Sequence, residues 1–304
     1  MKNTLKTLYD IDVDLITKYD KKVYKVKSND NLYCLKYSND FCNNDLINKL
    51  EALNLSNSFI LPIKSNIRTY HVNQTEKSFF LREWIEEDNV TSKDLKVKYY
   101  LTKLAEIHKK TSYSLNVTLS FYKEITMQIE EKIEESFQKY DKIISSIERK
   151  EYKSPFEWYF VFYYKDVINS LDKSRSYLET FKKQIKDKLT IRQVIIHQNF
   201  AFDHIFITKD KIIGNEKMKL SSPIYDLKSL FDKIDYGNIN VVGMFDEYLK
   251  INELYDYEIS WLLSLLFIVE ELKLTDDDKD NLKKFMNILF KIKSISEIEN
   301  IVKK

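Results

Sequence analysis

The chain has 304 residues, 43% of them hydrophobic and 32% charged, which is enough apolar material for a real core in one large domain or two lobes. Its 49 Lys and Arg against 47 Asp and Glu leave a formal charge of +2, so no overall field draws it to nucleic acid or to an anionic membrane. The opening "MKNTLKTLYDIDVDLI" lacks an apolar signal core, and the most apolar window, Ile259 to Leu272, is too short and too closely flanked by acids to span a bilayer; a soluble protein kept in the cytoplasm is expected.

Three glycines and three prolines are very few for this length, so tight turns must fall largely to Asn and Asp, which tolerate positive φ better than other side chains. The wealth of Lys, Asn, Ile and Tyr has a bland cause in an AT-rich genome. Cys34 and Cys42 have no Cys/His spacing that suits zinc and read as buried reduced thiols.

In chain order, "VDLITKY", "KKVYKVKS" and "NLYCLKYS" are short β-branched and aromatic runs, with "NDN" at Asn29 to Asn31 as a hairpin turn. "NDLINKLEALNL", Asn44 to Leu55, has helical spacing behind an Asn/Asp start, and "SFFLREWIEED", Ser78 to Asp88, reads as a last strand running into a polar connection. Beyond it, "TSKDLKVKYYLTKLAEIHKKT" opens on a Thr/Ser cap, and two long amphipathic segments follow, the second starting at Pro155. Its aromatic stripe, Phe156, Trp158, Tyr159, Phe160, Phe162, Tyr163 and Tyr164, is taken as core in preference to a ligand box. A strand-loop-strand island at Val194 to Ile213 precedes four further helices starting near Ile224, Asn240, Tyr257 and Asp277. The reading is α+β: a β-rich lobe over residues 1–88 and a mainly helical lobe over 89–304.

That plan resembles the bilobal kinase-like fold of aminoglycoside and choline phosphotransferases, and most of all the spore coat family typified by CotS. "VYKVKSNDNLYCLKYS" is similar to the family's strand pair ending in Leu-Lys, here Lys36; "LREWIEE", Leu81 to Glu87, resembles its exit strand; and "LAEIH", Leu104 to His108, resembles the helix ahead of its catalytic loop. The superfamily loop reads His-Gly-Asp-x-x-x-x-Asn, in coat relatives often His-His-Asp-Phe-Ala-x-x-Asn. "HQNFAFDHIFI" keeps His197, Phe200 and Ala201, but Asn199 stands in place of the catalytic Asp and His204 in place of the metal-binding Asn. Counting back from "YDL" in "IIGNEKMKLSSPIYDLKSLF" puts Gly214 where the second metal-binding Asp belongs, with Asp226 retained in a structural role.

The chemistry that the resemblance implies is phosphoryl transfer, which needs the nucleotide phosphates gripped by a Lys and by metal ions and the acceptor hydroxyl oriented. Lys36 is the candidate for the first, with Glu51 as its helix partner and Asp45 as a substitute. Magnesium wants oxygen ligands, and neither Gly214 nor His204 offers one. Asn199 can hydrogen-bond a hydroxyl but cannot take its proton at neutral pH. His197 is expected to brace the loop, and His204, with no second ligand nearby, to be satisfied or solvated.

The expectation is thus a catalytically degenerate kinase-like protein with no cofactor. By resemblance alone, it belongs to the spore coat with coat proteins as partners. One alternative is a working ATP- and magnesium-dependent phosphotransferase with relocated ligands Asp203 and Glu216. The other is a scaffold that binds nucleotide without turnover.

Overall fold

The computed structural model describes residues 1–40, 43–73, 78–86 and 88–303, so Cys42 and Glu87 lie outside the described residues. In chain order the elements are α1 (Lys2–Tyr9), β1 (Leu15–Asp20), β2 (Val23–Ser28), β3 (Asn31–Tyr37), α2 (Asn44–Ala52), β4 (Val72–Asn73), β5 (Ser78–Glu83), α3 (Lys93–Thr111), β6 (Tyr113–Asn116), α4 (Leu119–Glu148) and α5 (Pro155–Ile185). There follow β7 (Thr190–Ile196), β8 (Ile205–Phe206), β9 (Lys211–Ile212), β10 (Lys219–Ser221), α6 (Ile224–Phe231), α7 (Val241–Ile251), α8 (Asp256–Leu266) and α9 (Asp278–Val302). No helix among the described residues is long and apolar enough to cross a membrane.

The chain forms two compact units, one of residues 1–111 with 194–221 and the other of 112–193 with 222–304. Sheet gives way to helix between Glu83 and Lys93, while α3 and the 194–221 island share a unit with the sheet.

The first unit is built on an antiparallel sheet of order β1-β2-β3-β5-β4. The β2–β3 hairpin turns where Ser28 pairs with Asn31, and Asn29 takes the left-handed conformation at φ 50. Asp10, Asn54 and Asp210 do the same, so among the described residues four of the six non-glycine residues at positive φ are Asn or Asp, and Gly214 is the one glycine there. Strand alternation gives the sheet two unlike faces. Val26, Leu35, Phe79, Leu81 and Val72 form one, buried under Leu5 and Tyr9 of α1. Lys25, Cys34, Lys36, Phe80 and Arg82 occupy the other, by register. Helix α1 has no counterpart in the reading of the sequence, because it is short and opens without a side-chain cap.

In the second unit, α5 begins on a capping box, with Ser154 and Glu157 closing on each other's backbone and Pro155 in the first turn. It packs against α4, α8 and α9. Ser170 and Ser174 donate to the carbonyls of Phe267 and Ser264 at 2.9 and 2.5 Å, small side chains that let α5 and the end of α8 approach closely. The aromatic stripe divides: Phe156 and Phe160 sit in the core with Tyr140 and Phe285, whereas Trp158 and Phe162 are 61% and 77% exposed. A helix repeat of 3.6 residues cannot bury consecutive aromatics on one face, so the expectation of core holds for only part of the stripe.

Arg192 on β7 and Glu258 on α8 form a two-pronged ion pair, Nε to Oε1 at 2.9 Å and a terminal nitrogen to Oε2 at 2.6 Å, with the Glu258 side chain fully buried. Burial pushes the Glu258 carboxyl above its ordinary value although Arg192 pulls it down. Arg192→Met is expected to cost about 3–5 kcal/mol in denaturant unfolding, because it strands a buried carboxylate. Arg192→Met with Glu258→Leu should recover most of that loss.

Candidate functional site

The loop after β7 is held by His197, which is 1% exposed. Its Nε2 donates to the Ile213 carbonyl at 3.1 Å, its Nδ1 lies 2.8 Å from the Tyr100 hydroxyl, and its ring stacks on Phe59. A carbonyl only accepts, so Nε2 carries a proton. The imidazole thereby ties the loop to the segment ending β9 and to α3. Gln198 then turns the chain at φ 55, a conformation that costs a residue with a Cβ about 1 kcal/mol, at a position where the superfamily pattern has Gly.

Asn199, His204 and Gly214 meet at one point. The Asn199 carboxamide donates to the Gly214 carbonyl at 2.9 Å, and His204 Nδ1 donates to the Asn199 carbonyl at 2.9 Å. Gly214 has φ 91, and a Cβ placed there would lie 2.7 Å from the Asn199 side-chain nitrogen and 2.7 Å from His204 Nδ1. No carboxylate fits at 214 while the imidazole is there. Burial pulls the His204 ring below its ordinary pKa, the hydrogen bond to Asn199 notwithstanding, and leaves it neutral at pH 7.

Lys36 reaches across from β3 to form an ion pair with Glu216 in the turn Asn215–Lys217. The Glu216 side chain is 7% exposed; burial alone would raise its carboxyl, but the Lys36 charge and hydrogen bond, aided by Arg82, hold it below the usual range. Asn199 also approaches the same carboxylate at 3.5 Å. Glu51 is exposed on α2 and accepts from the Tyr70 hydroxyl at 3.4 Å; the partner expected for Lys36 there is Glu216 instead. Asp203 is exposed in the turn Phe202–His204, and Asp45 is exposed on α2. Neither joins the site. Asn215 fastens the turn by donating to the Ile60 carbonyl at 2.8 Å.

Among solved structures, aminoglycoside phosphotransferase from Alicyclobacillus acidocaldarius superposes with a TM-score of 0.67 over 96% of this chain and 93% of that one, at 11% identity. Spectinomycin phosphotransferase APH(9)-Ia bound to AMP gives 0.53 over 98% and 93% at 15% identity. The chain has a kinase-like α+β fold. The same spectinomycin enzyme with ADP and spectinomycin gives 0.53 at 14% identity, over 99% of this chain and 97% of that one. No protein-family model and no curated protein sequence matches the chain. At these identities the likeness establishes the fold alone.

The residues present do not fit a magnesium ion of the kind that fold uses. Among the described residues no group of three or more His, Cys, Asp or Glu is placed to hold a metal. An imidazole and a carboxamide fill the space beside Gly214, and the one buried carboxylate in reach is bound by Lys36.

Gly214→Asp is expected to lose about 2 kcal/mol of unfolding free energy by overpacking, and His204→Ala in the same chain to restore at least half of it. A double-mutant cycle in urea measures this coupling. The site also predicts acid sensitivity. As pH falls through about 6.5 the unfolded chain takes a proton at His204 that the folded chain, with its lower value, refuses, so stability present above that pH is lost. Glu216 adds a second loss once the pH falls through the carboxylate range, since its folded value is depressed. In a pH series of melting curves, His204→Asn should flatten the first step and leave the second.

Proposed function

We propose that the chain is a catalytically silent protein of kinase-like fold, used for its shape and surfaces. The observation that carries this reading is the closed contact of Asn199, His204 and Gly214, which occupies the place where the resemblance puts a metal-binding Asp. Phosphoryl transfer draws most of its acceleration from charge stabilisation around the transferring group, so closing the metal position removes the larger contribution. Replacing the catalytic carboxylate by Asn199 removes the proton acceptor as well.

The resemblance to coat proteins supports a place in the spore coat, with other coat proteins as partners. That part of the proposal rests on the phrases around Lys36, Leu81 and His197 and on nothing in the geometry of the site. A fluorescent fusion expressed in an endospore-forming host is expected to gather at the spore periphery; uniform cytoplasmic fluorescence through sporulation would discard it.

The silent reading is tested by phosphate release from ATP with magnesium. The rate is expected to stay at the blank and to be the same for Lys36→Ala as for the parent chain. Turnover that disappears in Lys36→Ala would overturn the reading in favour of a phosphotransferase with relocated ligands.

A further inference from the structure

The aromatic side chains of α5 that the core leaves out are gathered on one ridge. Trp158 and Phe162 stand about one helical turn apart, and Lys165 and Asn169 continue their line, because positions three, four and seven residues apart share a helix face. The ridge runs back into the connection before α5, where Tyr152 is 85% exposed and the Lys153 ammonium sits 5.4 Å over the Trp158 ring. Beside the ridge, between α5 and α9, lies a groove of about 590 Å³ walled by Tyr159, Tyr163, Phe267, Leu289, Phe290 and Ile292. Ring contacts join the two: Phe162 and Tyr163 have centroids 4.9 Å apart, and Tyr163 and Tyr159 4.6 Å.

Single apolar side chains on a surface need no explanation, but a contiguous patch does. The exposed parts of Tyr152, Trp158 and Phe162 come to on the order of 500 Å² at the usual area of a large aromatic. With the walls of the groove added, that approaches the ~800 Å² that each partner contributes to a stable interface. A ridge lying beside a groove of the same apolar character is its own complement, since a two-fold axis between them sets the ridge of each copy into the groove of the other. The charges agree with that arrangement. Glu151, in the connection at one end of the ridge, and Lys165, towards the other, are both exposed, and neither makes an ion pair among the described residues. Two copies of α5 laid antiparallel bring the Lys165 of each to the Glu151 of the other, so one pairing meets all four charges.

We propose that the chain forms a symmetric dimer through α5 and α9, with Trp158 and Phe162 of each copy seated in the groove of the other and Glu151 paired with Lys165 at both ends. The exposed aromatics are then the anchors of an interface, where a few large side chains carry most of the binding energy. All of these residues belong to the second unit, so the dimer is independent of the closed metal position and of whether phosphate is transferred.

Sedimentation equilibrium on the whole chain, from about 1 to 100 μM, is expected to show a mass that rises with concentration to twice that of the chain. Trp158→Ala and Phe162→Asp should each weaken the dimer about tenfold or more while leaving the melting temperature of the dilute, dissociated chain unchanged, because both side chains face solvent there. Charge variants test the antiparallel pairing itself. Lys165→Glu alone and Glu151→Lys alone should each weaken self-association about tenfold, since each sets like charges together at both ends of its own dimer. An equimolar mixture of the two should recover the dimer, because the mixed pair carries opposite charges at both ends. A chain that stays monomeric at the highest concentration, leaving the patch to a different protein or to a small apolar ligand, would overturn the dimer. So would a dimer that Phe162→Asp leaves intact, or a mixture of the two charge variants that stays dissociated.

Discussion

The hydrogen bond from His204 to the Asn199 carbonyl fixes an imidazole ring against the backbone of Gly214, and the rest of the site follows from that placement. With the ring in position, residue 214 can carry no side chain, and its φ of 91 suits glycine on separate grounds. With no side chain at 214, the Asn199 carboxamide can bond the carbonyl there at 2.9 Å. Asn199 and His204 occupy the space that a side chain at 214 would need, so the three residues are complementary.

Loop and turn are nevertheless held as firmly as an active site would hold them. His197 is buried, hydrogen-bonded at both nitrogens and flanked by Phe59 and Tyr100, and Gln198 keeps a left-handed turn at some cost. Strain of that kind persists only where the surroundings over-determine the conformation. The loop's architecture is therefore separable from its chemistry: the brace serves the junction of β7, β9 and α3, and that junction is needed whether or not phosphate is transferred.

Much of this was legible in the residues, and the limits have physical causes. The hairpin at Asn29, the helix behind Asn43 and the capping box at Ser154 are local signals, each complete within a few residues. The convergence of Asn199, His204 and Gly214 was readable only as three departures from a pattern; that they touch depends on the turn at Gln198 and on the pairing of β8 with β9. The partner of Lys36 lies 180 residues away at Glu216, and no periodicity on α2 could reveal that the nearer Glu51 faces solvent. Arg82 and Trp84 passed as parts of an exit strand. Alternation along β5 places them on the face of Lys36, and the register with β3 sets Arg82 opposite Cys34.

The fate of Glu216 bears most directly on whether catalysis has simply moved to other residues. A carboxylate can serve a divalent cation only if its charge is available, and this one is 7% exposed, bound to Lys36 and within reach of the charge on Arg82. Drawing it to a metal would strip Lys36 of its counterion and leave that ammonium and the guanidinium facing a dication, a repulsion strong in a part-buried site. Asp203, the other carboxylate expected as a relocated ligand, is exposed in its turn. In a kinase the lysine and the metal both draw on the phosphates, and their charges are kept apart by separate carboxylates. Here one carboxylate serves Lys36 and lies within reach of the charge on Arg82, and the electrostatic balance of the site disfavours an added metal.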